Sequence, residues 1–127
     1  ATEAVPGKFL GMSQWITRNT TDMIRGDVGS LGGITPLLKT AHLADAFNMS
    51  CEIFHGGNSI DAVANLHVMM SIKNCQFYEM FPPNGENQFG LIDDIQVDEN
   101  GLVHAPETAG LGINIDWELL NSMKVDI

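Results

Sequence analysis

Apolar positions along the chain follow a helical period in some stretches and gather into short β-prone runs in others. From Leu10 to Asn19, the residues Met12, Trp15, Ile16 and Asn19 recur at helical spacing, which predicts a short helix with one face free for a sheet. Thr21 to Asp27 is brief and closed by Gly26-Asp27, and Gly29 to Gly33 supplies turn residues, so a strand followed by a loop is expected. From Ile34, the set Leu37, Leu38, Ala41, Ala44 and Ala46 predicts an amphipathic helix, with Pro36 in its first turn, where a missing amide proton costs little. Met49 to Phe54 predicts a second strand. His55-Gly56-Gly57-Asn58-Ser59 then reads as a loop whose Ser59 caps a helix over 60–72, with Ile60, Val63, Ala64 and Val68 facing inward. Gln76 to Phe81 predicts a third strand, stopped by Pro82-Pro83-Asn84-Gly85.

This order, helix, βα, βα, β, is the signature of a parallel sheet with crossover helices, its strand carboxyl ends all facing one way. Beyond Asn87 the pattern changes. Ile92 to Val97 and Leu102 to Ala105 flank Asp98-Glu99-Asn100-Gly101, which has hairpin-turn chemistry. A final helix, Trp117 to Met123, follows an Asp116 cap and is expected to dock on another domain.

Four side chains capable of chemistry, Glu3, Asp27, His55 and Glu79, end successive apolar or β-prone runs. They recur at intervals of roughly 25 residues, close to the ~30 that one strand plus one helix occupies in a (β/α)8 barrel of ~250 residues. Such barrels build their active sites from strand carboxyl ends. At 127 residues the chain holds about half the required units and reads as part of something larger. An open α/β layer that folds alone is the competing expectation.

Composition narrows the function classes. A formal charge of −10, from 16 acidic and 6 basic side chains, argues against nucleic acid, whose phosphates demand clustered Lys and Arg. No apolar run approaches the ~20 residues of a membrane span and the first residues lack signal-peptide architecture, so a cytoplasmic protein is expected, with no membrane partner. Cys51 and Cys75 fall inside predicted strands, without metal-ligand spacing, and read as buried free thiols. The sequons at Asn19 and Asn48 read as accidental.

A carboxylate beside a histidine orients the imidazole and raises its pKa, which suits a general base near neutral pH. Asp27 and His55 are expected at the ends of adjacent strands, which lie ~4.8 Å apart, within side-chain reach. The plainer reading is that Asp27 caps a helix start and His55 is a polar residue beside two glycines. Glu3 suits a hard cation such as Mg2+, although one carboxylate alone specifies no metal. Glu79, after Phe77-Tyr78, reads as either a proton donor with a raised pKa or a strand-end charge. His42, His67 and His104 are expected to be structural, and Gly32-Gly33 lacks the rest of any phosphate-binding fingerprint.

The segments Ala1-Thr2-Glu3, Arg25-Gly26-Asp27-Val28, Gly32-Gly33-Ile34-Thr35, Glu52-Ile53-Phe54-His55-Gly56-Gly57-Asn58-Ser59 and Phe77-Tyr78-Glu79 together resemble the mandelate racemase branch of the enolase superfamily. Ala109-Gly110-Leu111-Gly112-Ile113 looks like that family's tail. The resemblance implies an α/β fold, the C-terminal half of a (β/α)7β TIM-like barrel, followed by a β-hairpin and a short helix that return to a capping domain. Residues 1–86 would then run from the end of strand five to strand eight, and 87–127 would pack toward the capping domain. It also implies that Glu3 ligates Mg2+, that Asp27 and His55 form the acid/base dyad, and that Glu79 hydrogen bonds a substrate carboxylate. The strand-two lysine and the first two metal ligands have no counterpart here. The implied partners are a sugar-acid substrate, the missing N-terminal half and further copies in a homo-oligomer. The implied activity is dehydration, with racemase or cycloisomerase chemistry, or a non-catalytic interaction module, as the alternatives.

Overall fold

In the computed structural model, residues 8–55, 57–80 and 87–125 are described. Helix α1 (Lys8–Thr17) precedes strand β1 (Met23–Gly26), a one-turn helix α2 (Val28–Leu31), α3 (Ile34–Ala46), strand β2 (Ser50–Ile53), α4 (Ser59–Ser71) and, after a long irregular stretch, α5 (Trp117–Ser122). β1 and β2 pair in parallel, with Met23 opposite Ser50 and Gly26 opposite Ile53. A parallel pair needs a crossover that returns the chain to the same end, and α3 supplies it.

The two strands alternate strictly. Ile24, Gly26, Cys51 and Ile53 are buried, while Met23, Arg25, Ser50 and Glu52 are only half-buried. The buried face packs on the helices, forming a core of Met12 and Ile16 from α1, Leu37, Ala41 and Ala44 from α3 and Val68 from α4 around Ile24, Cys51 and Ile53. The opposite face carries Arg25 and Glu52, a polar lining of the kind that suits the inside of a barrel better than a helix contact.

The expected helices form, with shifts that have local causes. Trp15 remains 40% exposed, so Met12 and Ile16 alone anchor α1. Asn19 and Asn48 follow α1 and α3 with φ of 52° and 56°. That left-handed conformation is one Asn tolerates better than most residues, which gives both positions a backbone reason to hold Asn. On α3, Thr40 takes an inward position and Ala46 is exposed. The cap of α4 is Asn58, not Ser59: Asn58 Oδ1 accepts from the amides of Ile60 and Asp61, both at 3.1 Å. Ser59 is instead buried, and its hydroxyl donates to Asp94 Oδ2 at 2.5 Å.

The strand expected over Gln76–Phe81 does not pair within the described residues. The Cys51 amide donates to Asn74 O at 2.8 Å, but the Glu52 carboxylate then accepts from the adjacent amides of Gln76 (3.2 Å) and Phe77 (3.4 Å), only one of which could face β2 in a ladder. Phe81 lies outside the described residues. The expected hairpin contracts to one antiparallel bridge, Val97 with Val103, closed by a turn in which Asp98 Oδ1 accepts from Asn100 and Leu102. The last segment lies along α4: Leu91 bridges Ile115, Ser59 N donates to Phe89 O at 3.3 Å, and His67 Nε2 meets Leu111 O at 3.0 Å. Both cysteines are free, Cys51 buried and Cys75 half-buried outside any strand. No helix among the described residues is long and apolar enough to cross a membrane.

Candidate functional site

Asp27 is 3% exposed and follows the last residue of β1. Its carboxylate caps α2, Oδ2 accepting from Gly29 N at 3.1 Å and Oδ1 from Ser30 N at 2.9 Å. The turn that makes this cap ends at Gly32, whose φ of 89° favours glycine, and Gly33, at 127°, starts α3. The Gly32-Gly33 pair therefore serves the backbone.

His55 lies two residues beyond β2 and is 8% exposed. The Phe54 amide donates to Gly26 O at 3.2 Å, so the parallel register continues past the strand ends. This sets Asp27 beside Phe54, with His55 next along. Glu79 reaches the same end from its irregular segment, Oε1 accepting from His55 N at 3.3 Å and Oε2 pairing with the Arg25 guanidinium. Arg25 also stacks over the Phe54 ring, 5.3 Å from its centroid. Glu79 thus has both oxygens engaged as acceptors by groups on the two strands.

Two further polar residues join this end, and neither stands out in the sequence as a candidate. Asn65 is 2% exposed on α4, and its side chain accepts from Val28 N at 2.9 Å and donates to Phe54 O at 3.3 Å and to Asp61 Oδ2 at 3.2 Å. Asp61 stands against Asp27. Burial, the neighbouring Asp27 carboxylate and a hydrogen bond to it push the Asp61 carboxyl above its usual value, while the charge of His55 and the Asn65 hydrogen bond pull the other way. Two carboxyl groups in contact hold a proton between them more readily than either does alone. The only sequence signal is the pair Asp61 and Asn65, one helical turn apart just after the second strand loop.

A shallow cleft of about 360 Å³ opens beside these groups, lined by Asp27, Gly29, Ser30, Phe54, Gly57, Asn58 and Asp61. A side chain at Gly57 would press on Asp61, whose Cβ lies 2.9 Å from where a Cβ would stand. A larger groove of about 510 Å³ lies elsewhere, between the end of α4, the Cys75–Tyr78 segment and the Val97–Val103 turn. Its walls are mostly apolar and its titratable groups are Cys75 and Tyr78, the latter pushed up to about 12 by burial and by Asp94. The larger groove therefore offers no side chain that titrates near neutral pH.

Glu3, the expected metal ligand, lies outside the described residues. Among those that are described, no three His, Cys, Asp or Glu side chains converge as a metal site. Their donor set does not by itself fit Mg2+, whose octahedral oxygen shell usually draws on at least one or two free carboxylates, and Asp27 is spent on a cap while Glu79 is paired with Arg25. His67 and His104 are structural, the latter meeting Asp98 Oδ2 at 2.9 Å in the exposed turn.

The geometry has close counterparts. The chain is 35% identical to D-glucarate dehydratase from Agrobacterium tumefaciens, a structure complexed with magnesium, with a TM-score of 0.80 over 99% of this chain and 33% of that one. A mandelate racemase/muconate lactonizing enzyme from Jannaschia sp. CCS1 superposes with a TM-score of 0.82 at 25% identity, over 98% of this chain and 32% of that one. A D-galactonate dehydratase family member from Enterococcus gallinarum (strain EG2) is 27% identical over 116 residues, 89% of this chain and 28% of the relative. The chain thus spans about 30% of the length of the proteins it matches. A sequence model of the family described as "Enolase C-terminal domain-like" matches residues 3–119. With the βαβ order, the single parallel register and the clustered strand ends, this places the chain in the enolase C-terminal domain-like family, mandelate racemase/muconate lactonizing enzyme branch, as a C-terminal portion of its barrel.

Proposed function

We propose that this chain is the C-terminal part of an acid-sugar dehydratase that removes the proton next to a carboxylate and expels a β-hydroxyl as water. The observation that carries the reading is the gathering of His55, Asp27 and Glu79 at one end of a two-stranded parallel sheet, where the His55 backbone amide donates to Glu79 Oε1. The names of the relatives, D-glucarate dehydratase and a D-galactonate dehydratase family member, support the substrate class. A proton α to a carboxylate is too weakly acidic for imidazole unless the enediolate is stabilised, and enolase-superfamily sites meet that need by combining a His or Lys base with Mg2+. Mg2+ would supply the stabilisation here, with Glu3 as the one ligand this chain contributes. The remaining ligands would come from the complementary barrel portion.

Within this chain, His55 takes the α-proton or returns a proton to the departing hydroxyl, and Asp27 orients it from the neighbouring strand. Glu79 turns from Arg25 toward the substrate carboxylate. Loss of H from one carbon and OH from the next leaves an enol, which becomes the 2-keto-3-deoxy acid. In the same reading residues 1–86 are the barrel part and 87–127 the part that packs toward a capping domain, and the assembled protein is a homo-oligomer.

The test is a panel of sugar acids offered with Mg2+ to the enzyme assembled from this chain and its complementary portion, with products followed by NMR in D2O. Formation of a 2-keto-3-deoxy acid is expected, and His55→Asn should lower turnover about 1000-fold. Full turnover by that variant would overturn the assignment of His55. The neighbour named mandelate racemase/muconate lactonizing enzyme favours a second reading, in which deuterium enters the α-carbon with inversion and no water is lost. The same spectra separate the two.

A further inference from the structure

Asn65 has no place in the expected dyad, yet its side chain makes polar bonds to the loop after each of the two strands. Its carboxamide accepts from the amide of Val28, the residue after Asp27, at 2.9 Å. It donates to the carbonyl of Phe54, the residue before His55, at 3.3 Å, and to Asp61 Oδ2 at 3.2 Å. At 2% exposure these bonds have no competition from water. The Val28 and Phe54 bonds run to the backbone of two different strand ends, and no apolar side chain of the same size could replace them.

We propose that Asn65 is a positioning residue for the acid/base pair: it ties the Asp27 loop to the His55 loop and so fixes the separation and facing of the two side chains. Asp61 belongs to the same device, since its carboxyl contacts Asp27 and is held by the Asn65 amide. The helix that carries both residues starts at the Asn58 cap, three residues after His55. The inference rests on the assignment of Asp27 and His55 made above. It assigns to α4, whose apolar face is otherwise structural, a part in the reaction geometry.

The test uses the assembled enzyme and two substitutions, read beside His55→Asn. Asn65→Asp keeps the size and the acceptor facing Val28 but removes the donor to Phe54. The double variant Asp61→Asn with Asn65→Asp restores one amide and one carboxyl in the buried pair, which protects the fold, while still leaving Phe54 O without its donor. Both are expected to lower kcat by about 100-fold, the cost of ~1 Å of misplacement, with KM within about threefold. Both should also move the limb of the kcat–pH profile that depends on His55, a change that loss of stability alone would not produce. Either variant, folded by circular dichroism, with kcat within about twofold of the parent and an unmoved limb would overturn the proposal. Should His55→Asn itself retain full turnover, the failure lies in the functional reading beneath it.

Discussion

At the scale of single residues, the chemistry of this chain is decided by what lies next to each carboxyl group. The sequence leaves Asp27 either to orient His55 or to cap a helix; in the structure each of its oxygens accepts one α2 amide and keeps a second lone pair, so the cap is compatible with the proposed orienting role. Asp61, inconspicuous in the sequence, is the carboxyl whose proton affinity the fold raises, through burial and the contact with Asp27. Its folded-state pKa lies above the unfolded value, so the folded chain binds more protons in the window between the ordinary value of 3.8 and the raised one. Stability from this group is therefore fully present below about pH 4 and is lost as the pH rises through the raised value. Asp61→Asn should flatten that fall, seen as denaturant midpoints measured from pH 4 to pH 7; parallel curves for parent and variant would contradict it. Asp98 acts with the opposite sign. Its exposed carboxyl is held near about 2 by His104 and the Leu102 amide, so its contribution is present above the unfolded value and fades as the pH falls toward 2. Glu52 is invisible as a functional or structural residue from sequence, because its role is to take amides twenty-odd positions away along the chain.

At the scale of elements, periodicity locates every helix longer than two turns, because burial on one face leaves a 3.6-residue pattern that needs no knowledge of the partner. It misses α2, four residues whose formation depends on the Asp27 cap and on two glycines. It also misassigns the cap of α4, since Asn58 and Ser59 are both good caps and only the backbone path selects one. The two roles separate in mutants. Asn58→Ala should cost about 1 kcal/mol as a lost cap, with the packing of residues 87–125 retained. Ser59→Ala should cost a similar amount through the Asp94 bond but loosen that segment, visible as faster amide exchange near Ile95, whose amide bonds Asp94. Equal exchange in the two variants would show that the distinction is wrong. The segment Gln76–Met80 fails as a strand for a reason of the same kind: β-propensity is present, but a strand exists only through a ladder, and its amides found a side chain instead.

At the scale of the whole molecule, half of the strand pair faces a surface that the described residues leave open. Phe77 is 72% exposed, Leu102 56% and Trp117 64%, large apolar groups that the described residues leave uncovered, and the matched glucarate dehydratase is about three times as long as this chain. If the complementary barrel portion pairs with Gln76–Met80, assembly should slow hydrogen exchange at those amides by at least about 10-fold while leaving the already protected β1–β2 ladder unchanged; unchanged exchange at Gln76–Met80 would mean that the segment is no barrel strand. The sequence alone determined the helices other than α2, the two core strands, the α/β class, the placing of Asp27 and His55 just beyond those strands and the family, because each of these is written in local periodicity or in short motifs. Only the tertiary structure decided that Asn65 and Asp61 reach the two strand ends, that Asp27 caps α2, that Glu79 pairs with Arg25 and that the third strand stays unpaired among the described residues. Those outcomes depend on which groups from distant parts of the chain reach a given donor or acceptor first, and distance in space is the one quantity a linear pattern does not carry.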